Sequence, residues 1–354
     1  ERALLVGIVG PESGADADYG QAIYRGAQLA VEKLNDTGGI GGQALQLVHY
    51  DNAGEAGQTM DIVQHLIDQK VMAIISAPTG WATFGPTHLT NDSDTILISV
   101  GSRRRIARSG DYIFQLSLTD EIATDRIIRY SRDQLRFKRF ALVTTSDYDY
   151  SLDVAASFKK ALGRHGGELV AEADTYDTYT GQHDVEAVVT HILGVAGSLD
   201  AVIFTGSPAE AAALILGLQQ NNIHLPLVAG EDLFSEALLE QTGTAAVGSL
   251  VYATYPDRSL PQTKAFISSY REQNKIEPDR FAALAFDAAT LLGQALRESG
   301  SRHSSVVRET LLRSTISDGV TGSSSFSERG SSIKEPVIYK VIAGSGRGQF
   351  AQQH

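Results

Sequence analysis

Apolar residues return at two periods along this chain, and the switching between them predicts its elements. Ala3 to Val9 is an apolar run that breaks at Gly10-Pro11-Glu12-Ser13-Gly14, as a buried strand followed by a loop would. Ile23, Ala27, Ala30 and Leu34 then fall at steps of four, three and four, with Gln21, Arg25, Gln28 and Glu32 in the same rhythm on another face. That spacing predicts an amphipathic helix. Gly26, Ala27 and Ala30 would let this helix approach a sheet closely, and Gly38-Gly39 supplies the left-handed backbone that ends it. Leu45 to Tyr50 reads as the next strand. Strand, glycine-rich loop, helix and strand make a βαβ unit, and open α/β sheets bind ligands at the carboxyl ends of their strands. Tyr19 and Gly20 would then lie at the mouth of a cleft. Taken alone, Tyr19 is more often a partly buried aromatic at a helix start.

The alternation continues. Gln58 to Ile67 carries Ile62, Val63 and Leu66 at helical spacing, and Val71 to Ser76 and Thr95 to Val100 are strand-length apolar runs, suited to burial on both faces of a parallel sheet. The loops after these runs, Ala77-Pro78-Thr79-Gly80-Trp81 and Gly101-Ser102-Arg103, deliver glycine and small hydroxyl residues at two strand ends. N–H groups at such starts favour an anion, although Thr79, Gly80 and Ser102 taken alone are more often turn and cap residues. Arg103, Arg104, Arg105 and Arg108 form a basic cluster. It invites a second anion clamp at Arg103, against the commoner meaning of a solvated face.

Between Leu116 and Asp120 the chain is expected to cross into a second domain, where βα alternation starts afresh. Helices are predicted over Thr119 to Leu135, Leu152 to Leu162 and Asp184 to Leu193, and strands over Arg139 to Thr145, Glu168 to Asp174 and Asp200 to Thr205. A helix through Leu214 and Leu218 and a strand at Leu227 to Ala229 follow. A second crossing near Gly248 to Tyr255 returns the chain for helices at Gln262 to Gln273, Arg280 to Leu296 and Val306 to Arg313, and a third, around Gly322 to Ser332, sends Val337 to Ile342 to the second domain as a strand. The reading is therefore α/β, two doubly wound parallel-sheet lobes joined by three hinge crossings. Its domains are 1–118 plus 253–325 and 119–252 plus 326–354, with the ligand cleft between them.

Composition narrows the class. The chain has 354 residues, 42% hydrophobic and 20% charged, enough for two domains with substantial cores. A formal net charge of −12 argues against sequence-independent nucleic-acid binding, which neutralises phosphates with Lys and Arg. No apolar run approaches the ~20 residues that span a bilayer. Glu1-Arg2 leads directly into a strand, so the chain reads either as intracellular or as a mature form whose export signal has been removed. The absence of cysteine excludes disulfides, thiolate metal sites and a cysteine nucleophile. No Gly-x-Ser-x-Gly elbow, Gly-Lys phosphate loop or His-Glu-x-x-His zinc motif occurs. Gly7-Ile8-Val9-Gly10 has the wrong spacing for a dinucleotide fingerprint. His183 and His191 lack nearby acidic or thiol partners in a metal spacing, so the histidines read as surface or core residues, and neither a metal nor a cofactor is expected.

The pattern VGPESG, then YGQAIYRGAQLAVEKLNDTGGIGG, then a strand ending in YDNAG, resembles the amino terminus of type I periplasmic solute-binding proteins of ABC importers, in the Leu/Ile/Val-binding branch. The similarity extends from about Ala3 to about Ile342 in the right motif order. It implies an extracytoplasmic, monomeric, non-enzymatic protein that closes on a small amino acid and presents it to an ABC permease. It also favours the mature-form reading of the amino terminus. In the family, the two strand-end loops hold the ligand carboxylate, which the resemblance carries to Thr79, Gly80, Gly101 and Ser102. Here the usual small hydroxyl run has become Thr-Gly-Trp, which places Trp81 in the ligand wall. Asp147 to Ser151 resembles the family's Tyr-Gly element, with Ser151 in place of Gly, and Tyr150 projecting into the cleft. Gly206 and Ser207 follow a strand of the second lobe. Glu231 falls where an acidic side chain meets the ligand ammonium, with Asp232 as the fallback, and Phe281 matches an aromatic helix start on the apolar wall. Aromatic carboxylates, amides and other small solutes are the alternative cargoes. A ligand-sensing domain of a receptor is the rival of another class, disfavoured because the sequence ends at Gln353-His354 without a membrane helix or output domain. An α/β enzyme has only the fold in its favour.

Overall fold

The protein is described by a computed structural model, which covers residues 3–77, 84–101 and 105–354. The chain forms two compact units: Glu1–Thr119 with Tyr255–Lys334, and Asp120–Thr254 with Glu335–His354.

In the first unit, β1 (Leu4–Gly10), β2 (Leu45–Asp51), β3 (Ala73–Ser76), β4 (Ile96–Ser99) and β5 (Ile113–Gln115) form a sheet in the order β2-β1-β3-β4-β5. All its pairings are parallel. The central strands are buried along their whole length, which is why they read as continuous apolar runs. Helices α1 (Ala17–Asp36) and α10 (Arg280–Ser299) bury their apolar stripes in the larger core on one face. Helix α2 (Ala56–Asp68) sets Val63 and Leu66 against Val9, Val71 and Ile74 on the other. A short α3 (Thr87–Asp92), α9 (Pro261–Asn274) and α11 (Ser304–Arg313) complete the unit's helices among the described residues.

One expectation is corrected here. Gly26 serves helix packing, because a Cβ there would lie 2.0 Å from the carbonyl oxygen of Ala282 in α10. The end of α1 is as the sequence predicts, with Gly38 at φ +93° and Gly39 at φ +61°. Asp287 of α10 is completely buried and accepts hydrogen bonds from the N–H groups of Val320 and Thr321, both at 2.9 Å, and from the Thr321 hydroxyl at 2.5 Å. Lys334 Nζ donates to the same hydroxyl oxygen at 2.7 Å. Burial pushes the Asp287 carboxyl above the ordinary carboxylate range, against the opposing pull of Lys334 and the Thr321 donors.

The second unit is built on seven strands in the order β17-β16-β12-β11-β10-β6-β7. β6 (Arg139–Thr144), β7 (Glu168–Asp174), β10 (Ala201–Phe204), β11 (Leu227–Ala229) and β12 (Leu250–Ala253) are parallel. Helices α4 (Asp120–Asp133), α5 (Asp149–His165), α6 (Val185–Val195), α7 (Pro208–Gln220) and α8 (Glu236–Thr242) connect or flank them. Between β7 and α6 a small hairpin pairs β8 (Tyr176–Asp177) with β9 (Gln182–His183).

The parallel sheet carries two antiparallel strands at one edge. β16 (Val337–Ala343) runs antiparallel to β12, with Ala253 opposite Val337, and β17 (Gly348–Gln353) runs antiparallel to β16. The reason is connectivity. The chain leaves this unit just after β12 and re-enters at Glu335, so β16 starts at the edge where β12 ends. A tight turn at Gly344 to Arg347, with Gly346 at φ +81°, then returns the chain as a hairpin. In the first unit β13 (Thr315–Ile316), β14 (Ser324–Phe326) and β15 (Ser332–Ile333) make a small antiparallel sheet that the sequence did not announce.

Candidate functional site

At the carboxyl edge of the first unit's sheet, the backbone packs tightly around the start of α1. Gly20 N donates to Pro11 O at 3.0 Å, and a Cβ at Gly20 would sit 2.1 Å from that oxygen, so only glycine fits. The loop itself is fixed by Asp51, which accepts from Glu12 N at 2.7 Å and Ala53 N at 2.8 Å. The Ser13 hydroxyl and the Glu12 N–H hold its carboxyl below the ordinary range. Tyr19 is 36% exposed, and its ring meets Phe281 edge-on with centroids 4.9 Å apart. The Arg280 guanidinium lies 4.8 Å from the Phe281 ring centroid, within cation–π range. Residues 262 positions apart in sequence are thus one aromatic pair. Gly101 is partly buried two residues past β4. Thr79, Gly80, Trp81, Ser102 and Arg103 lie outside the described residues.

In the second unit, three successive strand ends present a buried threonine hydroxyl: Thr145 after β6, Thr175 after β7 and Thr205 after β10. Ser151 occupies its helix position for a local reason, since its hydroxyl accepts from Thr145 N at 3.0 Å and bonds Thr205 Oγ1 at 2.8 Å. This joins the first turn of α5, which carries Tyr150, to the loop carrying Gly206. Tyr150 is partly buried, its hydroxyl donating to Asp120 Oδ1 at 3.1 Å. Ser207 is the amino-terminal cap of α7, accepting from Glu210 N at 3.3 Å, while Ser207 N reaches back to Glu210 Oε2 at 3.1 Å, a reciprocal capping box.

Glu210 gathers the rest of this edge. Its carboxylate accepts from the hydroxyls of Thr175 at 2.5 Å, Ser207 at 2.9 Å and Thr145 at 3.1 Å, and meets His183 Nδ1 at 2.8 Å. Burial pushes the Glu210 carboxyl up, but the donors from Thr175, Ser207 and Thr145 outweigh it and hold the group below the ordinary range. His183 Nε2 lies 3.0 Å from Asp147 Oδ2. No partner for this histidine was legible from spacing, and the fold supplies two. Partial desolvation lowers the His183 pKa, yet Glu210 and Asp147 together raise it above the ordinary value. Among the described residues no cluster of His, Asp and Glu is arranged to hold a metal ion.

Glu231 lies in a single 3₁₀ turn, Glu231–Leu233, directly after β11 and Gly230. Its side chain is taken into the unit, 8% exposed, and Oε2 accepts from Thr254 N at 2.9 Å. Asp232, the fallback position, is exposed. The carboxyl edge of this unit therefore carries one deeply set acid at Glu231, a tyrosine at Tyr150, and a saturated knot around Glu210.

Residues 4–345 match the family described as periplasmic binding protein. The chain belongs to that family. It is 24% identical over 348 residues to an amino acid binding protein of Pseudomonas aeruginosa, covering 95% of this chain and 90% of that one. It superimposes with a TM-score of 0.76, at 26% identity, on LivJ from Streptococcus pneumoniae, a branched-chain amino acid transporter substrate-binding protein in complex with isoleucine; 99% of this chain and 100% of that one are covered. A solute-binding protein of an ABC transporter from Rhodopseudomonas palustris, in complex with 3,4-dihydroxybenzoic acid, shares the fold with a TM-score of 0.79 at 20% identity, covering 99% and 96%.

This periplasmic binding protein is a solute-binding protein of the ABC-transporter class and not an enzyme, and membership implies work outside the cytoplasm. No helix among the described residues is long and apolar enough to cross a membrane. Sequence reasoning missed the binding protein's Glu210 knot and the partners of His183, whose carboxylates come from 27 and 36 positions away. One local signal was available: Ser207-Pro208-Ala209-Glu210 has the spacing of a capping box.

Proposed function

We propose that this binding protein takes a small α-amino acid with an aliphatic or branched side chain and delivers it, as a monomer, to the permease of an ABC importer. Ligand contacts from the two units would bias an equilibrium between open and closed forms, since only differential affinity can shift such populations.

The observation that carries this reading is Glu231, an acid set at 8% exposure at a strand's carboxyl end. Held by the Thr254 N–H at a strand's carboxyl end, the carboxylate stands where open α/β sheets take their ligands, a position suited to a ligand ammonium. The N–H and hydroxyl groups of Thr79, Gly80, Gly101 and Ser102 are assigned to the ligand carboxylate, with Arg103 as an additional anion contact. Tyr19, Trp81 and Phe281 are assigned to the apolar side chain, and Tyr150, Gly206 and Ser207 to the opposite wall. The names of the Pseudomonas and Streptococcus relatives support an amino-acid cargo.

An aromatic carboxylate is the second reading. The Tyr19–Phe281 pair with Arg280 behind it suits a flat ring, and the Rhodopseudomonas protein was captured with a dihydroxybenzoic acid. A thermal-shift panel of the protein amino acids with benzoate and 3,4-dihydroxybenzoate separates the two, because a ligand that binds only the folded state raises its melting temperature. The proposal expects the largest shift from an aliphatic amino acid. Shifts from aromatic acids alone would replace the first reading with the second.

A further inference from the structure

His183 Nδ1 lies 2.8 Å from Glu210 Oε1, and Nε2 lies 3.0 Å from Asp147 Oδ2. An ionised carboxylate accepts hydrogen bonds and cannot donate, so the ring serves both partners only when each of its nitrogens carries a proton. Among the described residues neither carboxylate meets a lysine or an arginine, which leaves the imidazolium as the positive charge between them. The other groups around the ring supply none. Tyr176 of β8 stands beside it with ring centroids 5.5 Å apart, Asp174 accepts from the N–H groups of Ser146 and Tyr176 at 3.0 and 2.9 Å, Asp177 accepts from Tyr179 N at 2.8 Å, and Asp184 caps α6 through Ala187 N at 2.8 Å. Asp149, at the start of α5, is acidic as well. The two partners of the ring are unequal. The Glu210 side chain is 12% exposed against 36% for Asp147, and it keeps three hydroxyl donors and Ser207 N. The Asp147 side chain meets only His183 among the described residues.

We infer that His183 is a positioning residue of the solute site: its imidazolium holds the turn leading into Tyr150 against the Glu210 knot, and loss of its proton releases Asp147, so solute affinity falls as pH rises. This rests on the reading of Tyr150 as a wall of that site and adds a residue that touches no solute itself. A neutral imidazole keeps one N–H and one lone pair. The N–H stays with Glu210, whose Oε1 is fixed by the Thr175 and Thr145 hydroxyls. The lone pair on Nε2 then faces the Asp147 carboxylate, and two acceptors at that distance repel. Asp147 lies in a turn closed by Tyr148 N donating to Thr145 O at 3.1 Å, and Tyr150 follows three residues later in the first turn of α5. Ser151 still ties that first turn to Thr145 and Thr205. Release of Asp147 therefore loosens one corner of a connected edge, and the effect is graded, a few-fold change of the size that exposed ion pairs give.

NMR and calorimetry on the whole chain test this. In the ligand-free wild type, the amide signals of Asp147 and Tyr150 should move with the midpoint of the His183 ring, and ring-nitrogen shifts should show neutral His183 carrying its proton on Nδ1. In His183→Gln, whose side chain still forms hydrogen bonds and cannot titrate, those movements should vanish. Calorimetric titration of L-leucine and of 3,4-dihydroxybenzoate reads the consequence. Whichever binds the wild type should lose about threefold in affinity between about pH 5.5 and about pH 8, along the His183 midpoint. His183→Gln should hold one affinity across that range, near the wild type's high-pH value, and Asp147→Asn, at an exposed position, should flatten the profile likewise. A flat wild-type profile, or a pH dependence that survives in both variants, overturns the inference. A neutral ring protonated on Nε2, or amide signals that ignore the His183 midpoint, overturns it without any ligand. If 3,4-dihydroxybenzoate binds and L-leucine does not, the amino-acid reading falls while the role of His183 is read from the aromatic acid. If neither binds, both cargo readings fall, and the NMR midpoints decide whether His183 holds the turn.

Discussion

The carboxylate of Glu210 accepts hydrogen bonds from residues on four separate segments, and His183 is held between it and Asp147. A histidine whose folded pKa is raised contributes stability that is fully present below its unfolded value near 6.5 and is lost as pH rises through the folded value. NMR titration should therefore find His183 releasing its proton above the ordinary histidine range, and Glu210→Gln should move that midpoint downward. An unshifted midpoint in the variant would mean that Glu210 does not hold the imidazolium. Beyond the Ser207–Glu210 spacing, none of this was legible in the sequence, because hydrogen-bond partners spaced by tens of residues leave no periodic trace. Asp287 makes the same point in the first unit. It reads as one residue of an alanine-rich helix, yet it is completely buried and gathers Val320, Thr321 and, through a shared hydroxyl, Lys334. Asp287→Ala leaves these donors without their acceptor and should cost about 3–5 kcal/mol, the range for breaking a buried charged pair. Chemical denaturation gives the value, and a loss below about 1 kcal/mol would remove the network from the account of stability.

At the scale of elements, the sequence was most informative where burial is one-sided or complete. Helices α1 and α10 were visible in their apolar spacing, and β1, β3 and β4 in their continuous apolar runs, because both patterns are direct consequences of what each face meets. What spacing could not specify was the neighbour. The small residues of α1 suggested close approach to a sheet, and the close approach is to α10 at Ala282. Gly26→Ala should therefore force the two helices apart and destabilise the protein by about 1–3 kcal/mol, the usual cost of overpacking. An unchanged melting temperature would show that the contact yields without cost. β17 escaped notice because GQFAQQ is mostly polar and lies at the sheet's edge, where the packing of Phe350 on Phe234 and Tyr339 is its main apolar anchor. The hairpins β8–β9 and β13–β14 are too short to carry an alternation that can be read.

For the whole molecule, the ordered series of motifs was more specific than any single one. VGPESG, the α1 segment and the YDNAG strand end carried the resemblance that the match over residues 4–345 establishes. The chain crosses between its two units after Thr119, Thr254 and Lys334, and Thr254 ends the segment that faces Glu231. Which side chains meet the solute was less legible, because Ser207 proves to cap a helix, and a cap and a ligand contact call for the same residue type. The central claim is that Glu231 receives the ammonium of an amino acid. Its most direct test is the dissociation constant of L-leucine for wild type and for Glu231→Gln, measured by calorimetry at one pH and salt concentration. Removing one member of a desolvated ion pair costs roughly 3–5 kcal/mol, so the account predicts affinity weaker by a factor of hundreds or more. A loss of less than about tenfold would contradict it.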